Sequence, residues 1–419
     1  MNIWDKLYAR GLHGWEYIGV LVKWVAIGLI VGVIGGVVGT AFHVGVEWAT
    51  EVRHANPWVL WLLPAAGVFI AALYRGLKLE GEGTNNIIES VHFGKKVPVL
   101  LVPLIFVATC LTHLVGGSAG REGAALQIGG GIGYRMGRLM HLGEKELPLT
   151  TQCGMAALFA ALFGTPLTAA IFALEVISVG VIYYAGLIPC ITAAAVGYGV
   201  SKLLGVAPTR YIVYAPALEA AMLMRVAILA VACALVSIVF VRGMHWVEHG
   251  AKKLAPDSYR RAIIGGFLIL CVSYGLGTEY NGAGMDVIAL ALKGDVDTWA
   301  WLIKILFTAI TIGFGFKGGE VVPSFFVGAT FGCVLAPLLA IPAPFGAAIG
   351  LVAVFCGAVN CPVASIILSI ELFGAGGLIY FALACAISYL MSGYSGLYSS
   401  QTILYSKQQA EYINVHTKE

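Results

Sequence analysis

Long apolar runs, near residues 17–50, 58–74, 97–119, 147–201, 216–246, 262–277 and 298–392, take up most of this 419-residue chain and decide what it can fold into. Residues are 59% hydrophobic and 11% charged, and the mean hydropathy is +0.88, so a soluble core cannot hide the apolar surface. With about 20 residues needed per crossing, the runs predict an all-α integral membrane protein. Many exceed one span and are broken by glycine or proline, which predicts about ten or more helices, several short or tilted. No linker or low-complexity tract divides the chain, so one membrane domain over 1–419 is expected. The charged ends are too short for a domain of their own, which leaves no cytoplasmic regulatory module.

The interruptions of these runs repeat. Gly120–Gly129 (GREGAALQIG) and Gly319–Gly328 (GEVVPSFFVG) each break apolar sequence with glycines and a carboxylate. Downstream, Gly154–Glu175 lies without gaps on Gly350–Glu371, matching Gly154 with Gly350, Phe159 with Phe355, Pro166 with Pro362 and Glu175 with Glu371. Upstream, Thr109 and Thr112 fall on Thr308 and Thr311. Apolar sequence repeats itself easily, so chance similarity is the alternative to duplication. Duplicated halves with interrupted helices are the signature of a secondary transporter whose ion site lies between them near the bilayer midplane.

Other features exclude more than they assign. A net charge of +3, with basic residues scattered over the connections, implies no nucleic-acid partner and leaves the membrane orientation open. Nine cysteines stand singly in apolar sequence, giving no disulfide framework and no metal site. Gly129–Gly133 (GGGIG) lacks a preceding strand, and no HExxH, GxSxG or P-loop pattern occurs, so neither an enzyme nor a bound cofactor is expected. Met1–Glu16, with Trp4, Tyr8 and Trp15, reads as an interfacial helix rather than a cleaved signal. Gly28, Gly32 and Gly36 form a small-residue stripe for close helix packing.

Non-helical backbone survives at membrane depth only where protein or a water-filled cavity satisfies it. The breaks at Leu79–Glu89, Leu114–Gly123, Gly313–Pro323 and Tyr394–Tyr398 are therefore candidate site walls. A helix start carries free N–H groups and partial positive charge, so helices aimed at one point bind an anion without a buried lysine. Glu122 stands at such a start; it can occupy the anion position itself and leave when protonated, or be an ordinary first-turn glutamate. Arg121 beside it is either its partner or faces a headgroup. Thr84, Asn85, Asn86 and Tyr398 offer donors within the breaks. His113 and Lys304 read as packing or lumen-facing residues of apolar helices.

These residues resemble the CLC family of chloride channels and anion/proton antiporters over nearly the whole chain. Gly117–Gly123 (GSAGREG) is similar to the family's GREGP motif, with Ala124 in place of proline; Gly318–Pro323 (GGEVVP) is similar to GGxFxP; and Tyr398 in GLYSSQ matches the tyrosine closing the inner side of the central anion site. The resemblance implies a gating, proton-carrying role for Glu122, with halide and proton as the transported partners. The anion would be bound by Thr84, Asn85 and Tyr398 together with backbone around Arg121, Gly123, Glu320, Val321 and Val322. It also implies inverted repeats, about 17–205 and 216–395, in a homodimer with one pore per subunit and cytoplasmic termini, here in a bacterial inner membrane. Where chloride-type members carry GSGIP, this chain has Gly83–Ile87 (GTNNI), with Thr84 or, in another register, Glu82 at the serine. The motif phenylalanine is Val321, and Glu320 is added, either as a proton-transfer group or as a helix cap. The inner glutamate of the antiporters would fall near Ala207, where no carboxylate stands. This combination is similar to the bacterial fluoride-handling branch, although that branch carries methionine or asparagine at Thr84 and threonine at Val322. Fluoride/proton antiport, chloride/proton exchange and a passive chloride channel all remain readings of the sequence.

Overall fold

Glycine and proline divide the apolar runs into sixteen α-helices in the computed structural model, which describes residues 3–418, with side chains from 15 onward. The first half holds α1 (Ile3–Ala55), α2 (Leu63–Gly76), α3 (Thr84–Phe93), α4 (Leu101–Leu114), α5 (Glu122–Leu139), α6 (Leu147–Phe163), α7 (Pro166–Glu175) and α8 (Leu187–Leu203). The second holds α9 (Ala220–Leu254), α10 (Ser258–Leu276), α11 (Met285–Ala291), α12 (Ala300–Gly313), α13 (Val321–Leu335), α14 (Ala343–Val359), α15 (Pro362–Phe373) and α16 (Leu378–Met391). Among the described residues, six helical segments are long and apolar enough to cross a membrane, and shorter apolar helices of 10–17 residues fill the space between them. This is an all-α membrane fold.

Over Met1–Glu16, expected as an interfacial helix, the backbone is helical from Ile3 and runs on without a break to Ala55, one helix of 53 residues. At 1.5 Å per residue it is about 80 Å long, far beyond the roughly 30 Å of a hydrocarbon core. The Trp4 and Tyr8 side chains lie outside the described ones. Along α1 the glycine stripe does what small residues do. A Cβ on Gly32 would come within 2.8 Å of Val196, and one on Gly36 within 2.7 Å of Val200, so α8 lies directly against the α1 backbone. The same close approach recurs at Gly129, where a Cβ would be 2.3 Å from the Gly154 oxygen on α6, and at Gly328, 2.2 Å from the Gly350 oxygen on α14.

The halves meet in reciprocal contacts at the positions that align in sequence. Gly120 N–H donates to the Gly319 oxygen at 2.7 Å and Gly319 N–H to the Gly120 oxygen at 2.8 Å. Thr311 Oγ1 accepts from the Ser118 amide (2.9 Å), and Thr112 Oγ1 accepts from the Lys317 amide (3.2 Å). Glu175, ending α7, accepts from the amides of Val363 (3.1 Å) and Ala364 (2.8 Å) that start α15. Glu371, near the end of α15, accepts from Leu167 (3.0 Å) and Thr168 (2.8 Å) that start α7. Pro166 and Pro362 open these two helices and have no N–H to satisfy.

Beyond Tyr398 the chain folds back as a small sheet. β1 (Ser178–Val179) pairs in parallel with β2 (Thr402–Tyr405), Ser178 opposite Thr402, and β2 pairs antiparallel with β3 (Tyr412–His416), Thr402 opposite His416. Thr417, just past β3, donates its hydroxyl to the Tyr398 oxygen at 2.7 Å.

Candidate anion pathway

The Gly120–Gly319 contact holds two helix starts together, α5 at Glu122 and α13 at Val321. Each leaves first-turn amides without an intrahelical partner. Glu122 fills part of that vacancy itself: its Oε2 accepts from the Val322 amide at 3.3 Å. The carboxylate folds back over Gly120, where a Cβ would be 2.3 Å from Oε2, so only glycine leaves it room. Glu122 is fully buried, and its Oε1 has no partner among the described residues. A carboxylate is thus lodged on the donors of the other half's helix, where an anion would bind.

Two clefts approach this point. One, of about 810 Å³, is lined by Arg121, His43, Arg53, His113 and Val322 and by the 204–210 segment. The other, of about 410 Å³, is lined by Thr84, Asn85, Gln127, Lys317, Glu320 and Tyr398. They share no lining residue. Arg261, near the start of α10, lines the second, and Thr278, just past its end, lines the first. An α-helix of 19 residues separates those ends by about 28 Å, so the clefts open on opposite sides.

The residues expected at the site separate across these clefts. Thr84, the first residue of α3, sends its hydroxyl to the Gly123 oxygen at 3.4 Å. Glu82 lines the same cleft, and its Oε2 has no partner among the described residues, so the hydroxyl of Thr84 is the group of the two that reaches the start of α5. Tyr398 is 3% exposed, and its hydroxyl has no partner among the described residues. A buried phenol is ordinarily hydrogen-bonded, and this one belongs to the cleft wall. Asn85 lines the Tyr398 cleft and bonds to the Tyr398 segment. Its Nδ2 donates to Ser399 Oγ (3.1 Å) and its Oδ1 accepts from the Ser400 amide (3.2 Å), so both ends of the amide hold the Tyr398 segment against α3. Asn86 Oδ1 accepts from the Gly83 amide at 3.0 Å, an ordinary local cap.

Glu320 precedes α13 and makes no capping bond with its side chain; it lines the Tyr398 cleft. A Cβ on Gly123 would be 3.6 Å from Glu320 Oε2, so this carboxylate stands beside the α5 start. Val321 and Val322 are buried and offer backbone only. Arg121 faces the other cleft. Ala207 also lines that cleft, on the far side of Glu122 from Tyr398, which corrects its expected position as an inner site. The 205–209 stretch is tied there by the Thr209 amide to the Phe163 oxygen at 3.0 Å, a pairing that no motif announces.

Two further contributors have partners that no motif announces. Of the two readings of Lys304, packing and lumen-facing, burial fits packing: it donates to the oxygens of Tyr280 (2.9 Å) and Gly282 (2.7 Å). The Gly282 amide in turn donates to the Gly117 oxygen at 3.1 Å, so Lys304 braces the loop before Glu122. Gln127, one turn past Gly123 on α5, donates from Nε2 to Thr84 Oγ1 at 3.1 Å. Among the described residues no group of three or more His, Cys, Asp or Glu could hold a metal.

Known proteins share this fold. The family model for voltage gated chloride channels matches residues 66–393. A chloride/fluoride channel protein of Pseudomonas syringae pv. tomato is 37% identical over 397 residues, covering 92% of this chain and 88% of that protein. The crystal structure of a CLC-type fluoride/proton antiporter superposes with a TM-score of 0.86 at 31% identity, covering 91% of this chain and 98% of that one. The structure of a slow cyanobacterial Cl⁻/H⁺ antiporter superposes with a TM-score of 0.75 at 19% identity, over 88% and 94% of the two chains, a likeness of fold.

Proposed function

The chain belongs to the voltage gated chloride channel family, a family of halide transporters and channels rather than enzymes, and from that premise we propose that it exchanges fluoride for protons across a bacterial inner membrane. The observation that carries the reading is the Glu122 carboxylate on the Val322 amide, between two clefts that open on opposite sides. One position that takes either the carboxylate or a halide couples the two: protonation weakens the carboxylate's hold on the amides, and a halide takes its place. Each ligand changes the other's affinity, as linkage requires.

In this reading Thr84 and Tyr398 donate to the halide from the Tyr398 cleft, and the backbone at Gly123, Val321 and Val322 completes the site. Glu320 passes protons between that cleft and Glu122; its place beside Gly123, with no capping bond from its side chain to α13, supports this over helix capping. Fluoride is favoured because it is named for the relatives of higher identity. Fluoride also holds its water more tightly than chloride, so the hydroxyl and amide donors crowded here suit it. Chloride is the second reading, since Thr84 supplies a hydroxyl just as a serine would. The matched contacts between residues 17–205 and 216–395 support two inverted repeats, and the subunit is proposed to work as one half of a homodimer.

Glu122→Gln keeps the shape and removes the titrating group. Reconstituted in liposomes, it is expected to move halide with no accompanying proton uptake. Proton uptake at the wild-type rate in that variant would exclude the role given to Glu122.

A further inference from the structure

Gln127 is a buried polar side chain beside the proposed halide position that the exchange as described does not use. It is 4% exposed, lines the Tyr398 cleft, and lies four residues after Gly123, on the same face of α5. Its neighbours along that helix are glycine, alanine, leucine and isoleucine, which give the amide no partner. The partner comes from α3: Gln127 Nε2 donates to Thr84 Oγ1 at 3.1 Å, and Thr84 Oγ1 donates to the Gly123 oxygen at 3.4 Å.

A hydroxyl has one hydrogen to give. With Gln127 donating into the Thr84 oxygen, that hydrogen is directed away from Gln127, toward the start of α5 where Glu122 and a halide compete. The 3.4 Å separation is at the weak end for an O–H donor, so the hydrogen leaves the carbonyl readily for a better acceptor. A halide is such an acceptor, and hydrogen bonds in series strengthen one another. Gln127 Oε1 has no partner among the described residues. An unpaired buried acceptor is unfavourable, and the contact with Thr84 is what offsets it.

We propose that Gln127 is a positioning residue that sets halide specificity: by donating to Thr84 it orients and strengthens that hydroxyl as a donor, and so favours fluoride over chloride. The inference rests on the halide reading of the site. Fluoride gains most because the smaller, more strongly hydrated ion depends most on the strength of its donors.

Gln127→Met keeps the side-chain length and removes the donor. Fluoride and chloride efflux from liposomes would be measured for wild type, Gln127→Met, Thr84→Val and the double variant. The expected result is a fluoride-to-chloride rate ratio lowered about fivefold in Gln127→Met, the factor one ordinary hydrogen bond represents. No further change is expected when Gln127→Met is added to Thr84→Val, because Gln127 acts through that hydroxyl. An equal drop in both backgrounds overturns the proposal, as does a folded Gln127→Met protein with the wild-type ratio. Should Gln127→Met fail to fold, Thr84→Val alone must lower the ratio; a wild-type ratio there also overturns the proposal. Wild-type protein that moves neither halide overturns the transport reading and this one together, whereas wild-type transport with an unchanged variant ratio overturns this one alone.

Discussion

Replacing Glu175 by leucine tests whether the contacts between the halves hold the fold together. Glu175 is 5% exposed and takes two amides of the other half, Val363 at 3.1 Å and Ala364 at 2.8 Å. Of the first four residues of α15, Pro362 has no N–H and Ser365 already donates to the Cys361 oxygen at 3.0 Å. Glu175 therefore satisfies the donors that remain, and its charge lies favourably at the positive end of that helix. Leucine leaves both donors unpaired in apolar surroundings, at about 1–3 kcal/mol each, so a loss of about 3 kcal/mol is expected. An ordinary hydrogen bond between membrane helices contributes only about 0.6 kcal/mol. Glu175→Gln keeps one acceptor and should lose about half as much. Equilibrium unfolding in detergent micelles measures both, and since Glu175 lines neither cleft, folded Glu175→Gln protein should keep its halide-to-proton ratio. A loss below about 1 kcal/mol for Glu175→Leu, or a changed ratio in Glu175→Gln, would refute the reasoning.

Two further predictions concern the Tyr398 segment and the surface. Thr417→Val removes the 2.7 Å bond to the Tyr398 oxygen and should cost about 1 kcal/mol while raising halide movement not matched by protons; Thr417→Ser should restore both, and equal behaviour of the two variants would contradict a role for the hydroxyl. At the start of α10, the Arg260 amide and then the Arg75 guanidinium hold the Asp257 carboxyl below its ordinary range. A depressed carboxyl contributes stability that is present above the unfolded value, about 3.9, and is lost as pH falls through the folded one. Unfolding followed from pH 6 down to 3 should show wild type and Asp257→Asn converging in the acid range, and curves that stay parallel would contradict it.

The sequence was informative where chemistry depends on backbone. Glycines at 120 and 319, the carboxylate at 122 and the proline–glutamate pairs at 166–175 and 362–371 can be placed by spacing, because each serves a helix terminus. The fold brings them together as that spacing implies. What sequence could not carry was which side a loop faces. The 205–209 stretch around Ala207 has no periodicity, and the amides of Gly205, Val206 and Thr209, bonded to Lys202, Ser201 and Phe163, fix which cleft it lines. Asn85 has the donor chemistry of a ligand, and nothing in the sequence announces its bonds to Ser399 and Ser400, more than three hundred residues away. Gln127 carried one signal, a lone polar residue four positions after Gly123 in a helix of small and apolar residues, and its meaning depended on Thr84 arriving from another helix. Short polar contacts between distant segments are set by packing, which hydrophobic pattern does not encode.

The measurement that bears most directly on the central claim is efflux of fluoride and of chloride, in separate experiments, from liposomes holding the purified wild-type protein, with a pH electrode recording proton uptake. Fluoride leaving much faster than chloride, with protons entering in fixed proportion, is the predicted result. Chloride moving as freely as fluoride, or halide moving with no proton uptake, would contradict it.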